Sequence, residues 1–66
     1  MKSTFISNRR KEQGFTQDEM AKKLGINKQT YAKYENRDKF PFDTLAEIGV
    51  LLGFTIIFLP KENIIN

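Results

Sequence analysis

TQDEMAKKLGINKQTYAKYEN, Thr16 to Asn36, is the stretch that decides the fold. Two short helical patterns meet in it across a glycine. Thr16 can cap the first, because its hydroxyl accepts a backbone N–H left unpaired at a helix start. Met20, Ala21 and Leu24 then share one face at helical spacing. Gly25 follows, where a left-handed residue ends a helix without steric cost. Asn27 can cap the second pattern, in which Tyr31 and Tyr34, three apart, point inward. Lys28, Gln29, Ala32 and Lys33 are left pointing outward.

Two helices joined by so tight a turn outline a helix-turn-helix. Ala21 sits where the helices come closest, and its small side chain lets them approach. Ile26 lies in the turn and packs beneath it. The outward face of the second helix carries long donors and amides but no carboxylate. That chemistry suits a DNA major groove, lined with base acceptors and flanked by phosphates.

The run GFTQDEMAKKLGINKQTYAKYEN, residues 14–36, resembles the Cro/C1-type (Xre) helix-turn-helix of phage and bacterial repressors. The matching positions are Gly14, Phe15, Thr16 and Gln17, then Glu19, Met20 and Ala21, then Leu24 and Gly25, then Tyr31, Tyr34 and Glu35. The likeness extends more weakly over residues 3–53. It implies a mainly α, four-helix, lambda-repressor-like domain over residues 1–53. It also implies that Gln17 acts as a clamp on the DNA backbone. In some phage repressors the residue at Arg10 pairs with the glutamate at the place of Glu35. That pair is either partly buried, tying the first helix to the third, or exposed and weak.

Sixty-six residues make one domain, of a size that usually needs support from tight packing or oligomerisation. The chain has no cysteine and no histidine, which removes disulfide staples and the usual zinc sites. No metal or cofactor is expected. The lack of cysteine fits a reducing cytosol, and the expected location is the cytoplasm. Net charge is +3 and unevenly spread: residues 1–39 hold ten Lys/Arg against five Asp/Glu, residues 40–66 one against three. The positive part holds the helix-turn-helix, as a phosphate-binding surface requires. No apolar run approaches the roughly 20 residues of a membrane span, and the N-terminus lacks the pattern of a signal peptide.

In chain order, Ser3 or Thr4 can cap a first helix running to about Gln13, with Phe5, Ile6 and the stems of Arg9 and Arg10 as its apolar content. Arg9 stands where the family often has leucine. Gly14 closes this helix and Phe15 packs into the core. Asn36 to Pro41 reads as a polar loop, and at least one of Phe40 and Phe42 packs against the next helix. Thr44 with Glu47 fits a capping box for the fourth helix, with Asp43 as a competing cap. Leu45, Ile48, Gly49 and Leu52 form its buried face, Gly49 allowing close helix contact, and Gly53 ends it.

Residues 54–60, FTIIFLP, are rich in β-branched and aromatic residues and read as a strand. Phe54, Ile56 and Phe58 alternate with Ile57 and Leu59. A lone strand cannot satisfy its backbone groups within this domain, so the simplest partner is the same strand of a second chain across a two-fold axis. The tail also resembles the HipB-type antitoxin branch of the family, where a C-terminal strand joins two protomers. The alternative is a short helix or an arm packed on its own domain. Residues 61–66 read as a frayed, flexible tail, with Ile64 and Ile65 able to dock.

The second helix of such a motif lies in the groove with its N-terminal residues on base edges. Expected base contacts are therefore Lys28, Gln29, Lys33 and Ala32, the last against a thymine methyl. Expected phosphate contacts are Gln17, Asn27, Thr30, Asn36, Arg37, Lys39 and Arg10. Thr30 is equally suited to helix packing, and Lys22 and Lys23 to a solvated face. The function expected is a homodimeric, sequence-specific regulator of double-stranded DNA, most simply a repressor on a palindromic operator. An antitoxin that also binds a protein toxin is the alternative. A neighbouring kinase-like reading frame or a co-purifying protein would separate the two. An adaptor that has lost DNA binding would carry a neutral or acidic second helix, and Lys28, Gln29 and Lys33 argue against it. With no His or Cys, no phosphate loop and no evident acid–base pair, the chain offers no catalytic site.

Overall fold

The structure is a computed structural model that describes residues 4–57. Four α-helices follow in order: α1 (Thr4–Glu12), α2 (Gln17–Leu24), α3 (Lys28–Arg37) and α4 (Phe42–Leu52). Local signals set the α2–α3 unit. Thr16 Oγ1 accepts from Glu19 N at 3.1 Å, and Glu19 Oε1 accepts from Thr16 N at 2.8 Å. The reciprocal bond satisfies two donors at once; its T-x-x-E signature adds to what the threonine alone predicts. Gly25 adopts φ 74° at the end of α2, and Ile26 N donates to Ala21 O at 3.0 Å. Asn27 Oδ1 accepts from Thr30 N at 2.8 Å and starts α3.

Each helix sends side chains to one core. Ile6 comes from α1, Met20 and Ala21 from α2, Tyr31 from α3, and Ile48 and Leu52 from α4. Phe15, Leu24, Ile26, Phe40, Leu45, Leu51 and Phe54 pack around them. Met20, Tyr31 and Ile48 are fully shielded. Removing side chains of this size from water stabilises by about 1.5–3 kcal/mol each, which matters in so small a domain. Tyr34 is only half-buried, stacked obliquely on Phe40 at 5.9 Å, so the two tyrosines are not equivalent core residues.

Arg9 does more than pack its stem. Its Nε donates to Leu52 O at 3.0 Å and its Nη2 to Gly53 O at 3.4 Å. A cation thus stands on the carbonyls left unpaired where α4 ends, a favourable place for positive charge. Arg9 makes a polar contact between α1 and the end of α4.

Three expectations are corrected. First, α3 runs on through Asn36 and Arg37, so these are helical rather than in a loop. Asp38 closes the helix at φ 54°, with Lys39 N donating to Tyr34 O at 3.2 Å. Aspartate is among the few non-glycine residues that tolerate this conformation. Second, α4 begins at Phe42 behind Pro41, and Leu45 N donates to Pro41 O at 2.9 Å. The helix start has no side-chain cap, so the Thr44–Glu47 box is not formed. Asp43 Oδ1 accepts instead from Thr44 N at 3.2 Å. Phe40, not Phe42, is the aromatic that packs on the core.

Third, Phe54–Ile57 form no strand, and no strand occurs among the described residues. Phe54 N donates to Gly49 O at 2.9 Å, and its ring meets Phe5 edge-on at 5.2 Å. The chain here folds back on its own helix. It explains Gly49 too: a Cβ there would lie 2.7 Å from Phe54 O, so the close approach is to the turn after α4 and not to another helix. The rest of the expected strand, Phe58, Leu59 and Pro60, and the tail after it lie outside the described residues.

Candidate nucleic-acid interface

α3 has two unlike faces. Lys28, Gln29, Lys33, Asn36 and Arg37 are exposed, and Ala32 is half-buried among them. Positions 29, 33 and 37 repeat every four residues, as do 28, 32 and 36, so these side chains form one continuous stripe down the helix. At about 1.5 Å per residue, ten residues give a rod about 15 Å long. Thr30 is half-buried on the flank, and Asn27, exposed, uses its side-chain oxygen to cap the helix. Lys39 is exposed just past the helix end. The stripe carries no carboxylate, because the one acid of α3, Glu35, is turned inward.

That inward acid is the point where the first three helices meet. Arg10 of α1 grips it with two bonds, Nε to Oε2 at 2.8 Å and Nη2 to Oε1 at 3.2 Å. Tyr31 donates its hydroxyl to Oε2 at 2.6 Å, from one turn earlier on α3. Gln17, the first residue of α2, donates Nε2 to Oε1 at 3.0 Å. Arg10 Nη1 donates to Phe15 O at 2.8 Å, tying in the α1–α2 turn. Arg10 is 6% and Glu35 5% exposed. Among the described residues, no buried side-chain N or O lacks a partner.

The electrostatics follow from this geometry. Burial alone pushes the Glu35 carboxyl up. Hydrogen bonds from Arg10, Tyr31 and Gln17, with the Arg10 charge, outweigh burial and hold it below its ordinary value. The hydrogen bond to Glu35 raises Arg10 further. Burial, and then donation to Glu35, pushes the Tyr31 phenol well above its ordinary value. The buried cluster is therefore an ionised pair with a neutral phenol and a neutral amide, and its net charge is zero.

Of the residues expected at a DNA surface, α3 and its end bring together Lys28, Gln29, Ala32, Lys33, Asn36, Arg37 and Lys39, with Asn27 and Thr30 at the other end. Gln17 is half-buried and already bonded. Arg10 is the exception. All three of its guanidinium nitrogens bond within the fold, so it serves as the ion-pair partner and is not offered to phosphate. The ties of Gln17 and Tyr31 to Glu35 were not anticipated. Tyr31 at i−4 from Glu35 carried a local signal for its bond; Gln17 carried none, because its approach is tertiary.

Elsewhere the described residues present little competing chemistry. No group of three or more His, Cys, Asp or Glu among them could hold a metal ion. No helix among them is long and apolar enough to cross a membrane. The grooves between helices are open and mostly apolar; one of about 570 Å³ is lined by Ile6, Phe40, Leu45, Phe54 and Ile56, with Asp38 and Lys39 at its polar end.

No curated protein and no solved structure matches the chain. A family model described as helix-turn-helix matches residues 6–59, which takes in α1 from Ile6 onward and the whole of α2, α3 and α4. The chain therefore belongs to the Cro/C1-type helix-turn-helix family of double-stranded-DNA-binding transcription regulators.

Proposed function

We propose that the chain is a homodimeric, sequence-specific repressor acting on a palindromic operator. The observation that carries this reading is the distribution of charge around α3. The helix keeps its only acid in the core and exposes amides and cations along one groove-length stripe. Lys28 and Gln29, at the N-terminal end, reach base edges first, Gln29 to adenine and Lys28 to guanine. Lys33 follows one turn on, with Ala32 against a thymine methyl. Arg37, Lys39, Asn36, Asn27 and Thr30 hold phosphates and supply the salt-dependent part of the affinity. Gln17 holds a phosphate at the start of α2.

One stripe offers few contacts. Two copies, their recognition helices about 34 Å apart, read successive half-sites. Residues 54–60 are the proposed contact. Phe54 and Ile56 are half-buried against their own domain, while Ile57 is 76% exposed between them and the rest of the segment. The antitoxin alternative draws only on the sequence of this tail, and the geometry adds nothing in its favour.

The reading is tested by selecting duplexes in vitro with the protein and measuring Gln29→Ala on the selected sequence. The expected loss is about 1–3 kcal/mol, with specificity relaxed at one base position. An equal loss on random duplex would overturn the assignment. For the dimer, Ile57→Lys is expected to sediment as a monomer in analytical ultracentrifugation; a distribution unchanged from the parent protein would remove Ile57 from the contact.

A further inference from the structure

Glu35 accepts from Gln17 Nε2 at 3.0 Å, and that one contact fixes what the Gln17 amide shows to its surroundings. A carboxylate only accepts, so the amide must turn its NH2 toward Glu35. One N–H is consumed there. The second N–H and the amide oxygen are left at the half-buried start of α2. A phosphate oxygen is an acceptor as well, so the remaining N–H is the only part of this amide that can serve it. We propose that Glu35 is a positioning residue for DNA binding: it holds the Gln17 amide with its second N–H directed at a backbone phosphate. The proposal rests on Gln17 being a phosphate contact, as in the function proposed above.

The rest of the cluster suits this task. An uncompensated carboxylate behind Gln17 would repel the phosphate it is meant to help bind. Arg10, paired to Glu35 through two nitrogens, cancels that charge while leaving Oε1 able to accept from Gln17. Tyr31 takes Oε2 and fixes the carboxylate from the other side. The glutamine is thus held in its bound rotamer before DNA arrives. Ordering a side chain in advance removes part of the cost of association. Glu35 is also one turn or less from Lys33 and Arg37 on the exposed stripe, so the same helix that reads the groove carries the residue that sets the clamp.

A double-mutant cycle in DNA affinity tests the coupling, with each variant first shown to be folded by circular dichroism. The probes are the selected duplex and a random-sequence duplex, because a phosphate contact acts on both. Gln17→Ala is expected to weaken binding about tenfold or more on each duplex, the worth of one hydrogen bond to a charged acceptor. Glu35→Leu made together with Arg10→Met, which removes the acceptor and leaves no unpaired charge, is expected to weaken binding by a similar factor when Gln17 is present. In the Gln17→Ala background it should change affinity by less than about twofold, since additive effects mark independent sites. The same loss in both backgrounds, or full affinity in Gln17→Ala, overturns the proposal. Failure of the unmutated protein to bind either duplex overturns the DNA-binding reading itself, a separate outcome.

Should the Arg10→Met, Glu35→Leu protein not fold, the wild-type protein decides. In its NMR spectrum the Gln17 side-chain amide proton that faces the Glu35 carboxylate is expected to lie downfield of the ordinary glutamine range in the free protein. On adding duplex, the proton bonded to Glu35 should stay and the other should move. Two protons that both lie in the ordinary glutamine range in the free protein, or that move together, overturn the proposal.

Discussion

The two faces of α3 contain similar kinds of groups and use them in opposite ways. Inward, a carboxylate, a guanidinium, a phenol and an amide satisfy one another out of water. Outward, Lys28, Gln29, Lys33 and Arg37 stand exposed, with no hydrogen bond or ion pair found for them among the described residues. The inward set contributes to stability only as a whole, because each member left alone is a buried polar group without a partner. The outward set contributes little to stability and keeps its hydrogen-bonding capacity for a ligand. If that division is right, substitutions on the two sides should separate cleanly into losses of fold and losses of binding.

The sharpest break is in the buried pair. Arg10→Met leaves Glu35 ionised and uncompensated in the core, and should cost about 3–5 kcal/mol in urea denaturation. That is comparable to the whole stability expected of a domain this small. Replacing Arg10 by Met, Glu35 by Leu and Tyr31 by Phe together removes the charges and the phenol at once. Most of the stability should return, because an apolar cluster of similar volume often equals or exceeds a buried ion pair. If the triple variant were no more stable than Arg10→Met, the loss would lie in packing and not in the unpaired charge.

Acid should act through the same carboxylate. Its proton affinity is lower folded than unfolded, so the unfolded chain binds the proton first as pH falls. The contribution of Glu35 is therefore complete above the ordinary carboxylate value near 4.5 and is lost as pH drops through its folded value. Tyr31→Phe, which deletes the 2.6 Å donor to Oε2 and little else, should cost about 1.5–3 kcal/mol at neutral pH. With one donor fewer, its acid-dependent decline should also be smaller than that of the parent. An unchanged pH profile would mean that Arg10 and Gln17 alone set the carboxylate.

Legibility in the sequence follows the same line between local and tertiary causes. Thr16, Gly25 and Asn27 announced α2 and α3 because each acts within four residues of itself. Met20, Ala21 and Tyr31 announced the core through helical spacing. The exposed stripe was legible for the same reason, from Lys28 to Lys33. What failed was decided at longer range or by competition. Thr44 carried a good cap signal, but Pro41, with its φ held near −56° by its ring, stands at the N-cap and the helix begins behind it. Thr55, Ile56 and Ile57 carry strand propensity, but the ladder expected for them belongs to a second chain, and within this one the N–H of Phe54 goes to Gly49 O. Arg10 was expected both at phosphate and paired with Glu35, and its burial and its bonds to Glu35 and Phe15 O favour the second role.

The smallest expected change in stability tests the outward face most directly. Arg37 lies in the last turn of α3, exposed, where a cation also favours the helix dipole. Arg37→Ala should therefore cost no more than about 0.3–1 kcal/mol of stability. Its effect on DNA should be of a different kind. Loss of a phosphate contact weakens binding by about the same factor on every sequence and lowers the slope of log affinity against log salt by about one. A base contact would change the preferred sequence and leave the slope nearly intact, so the pair of measurements assigns Arg37 either way. If neither changed, the stripe would end at Lys33, and the C-terminal turn of α3 would lie outside the groove.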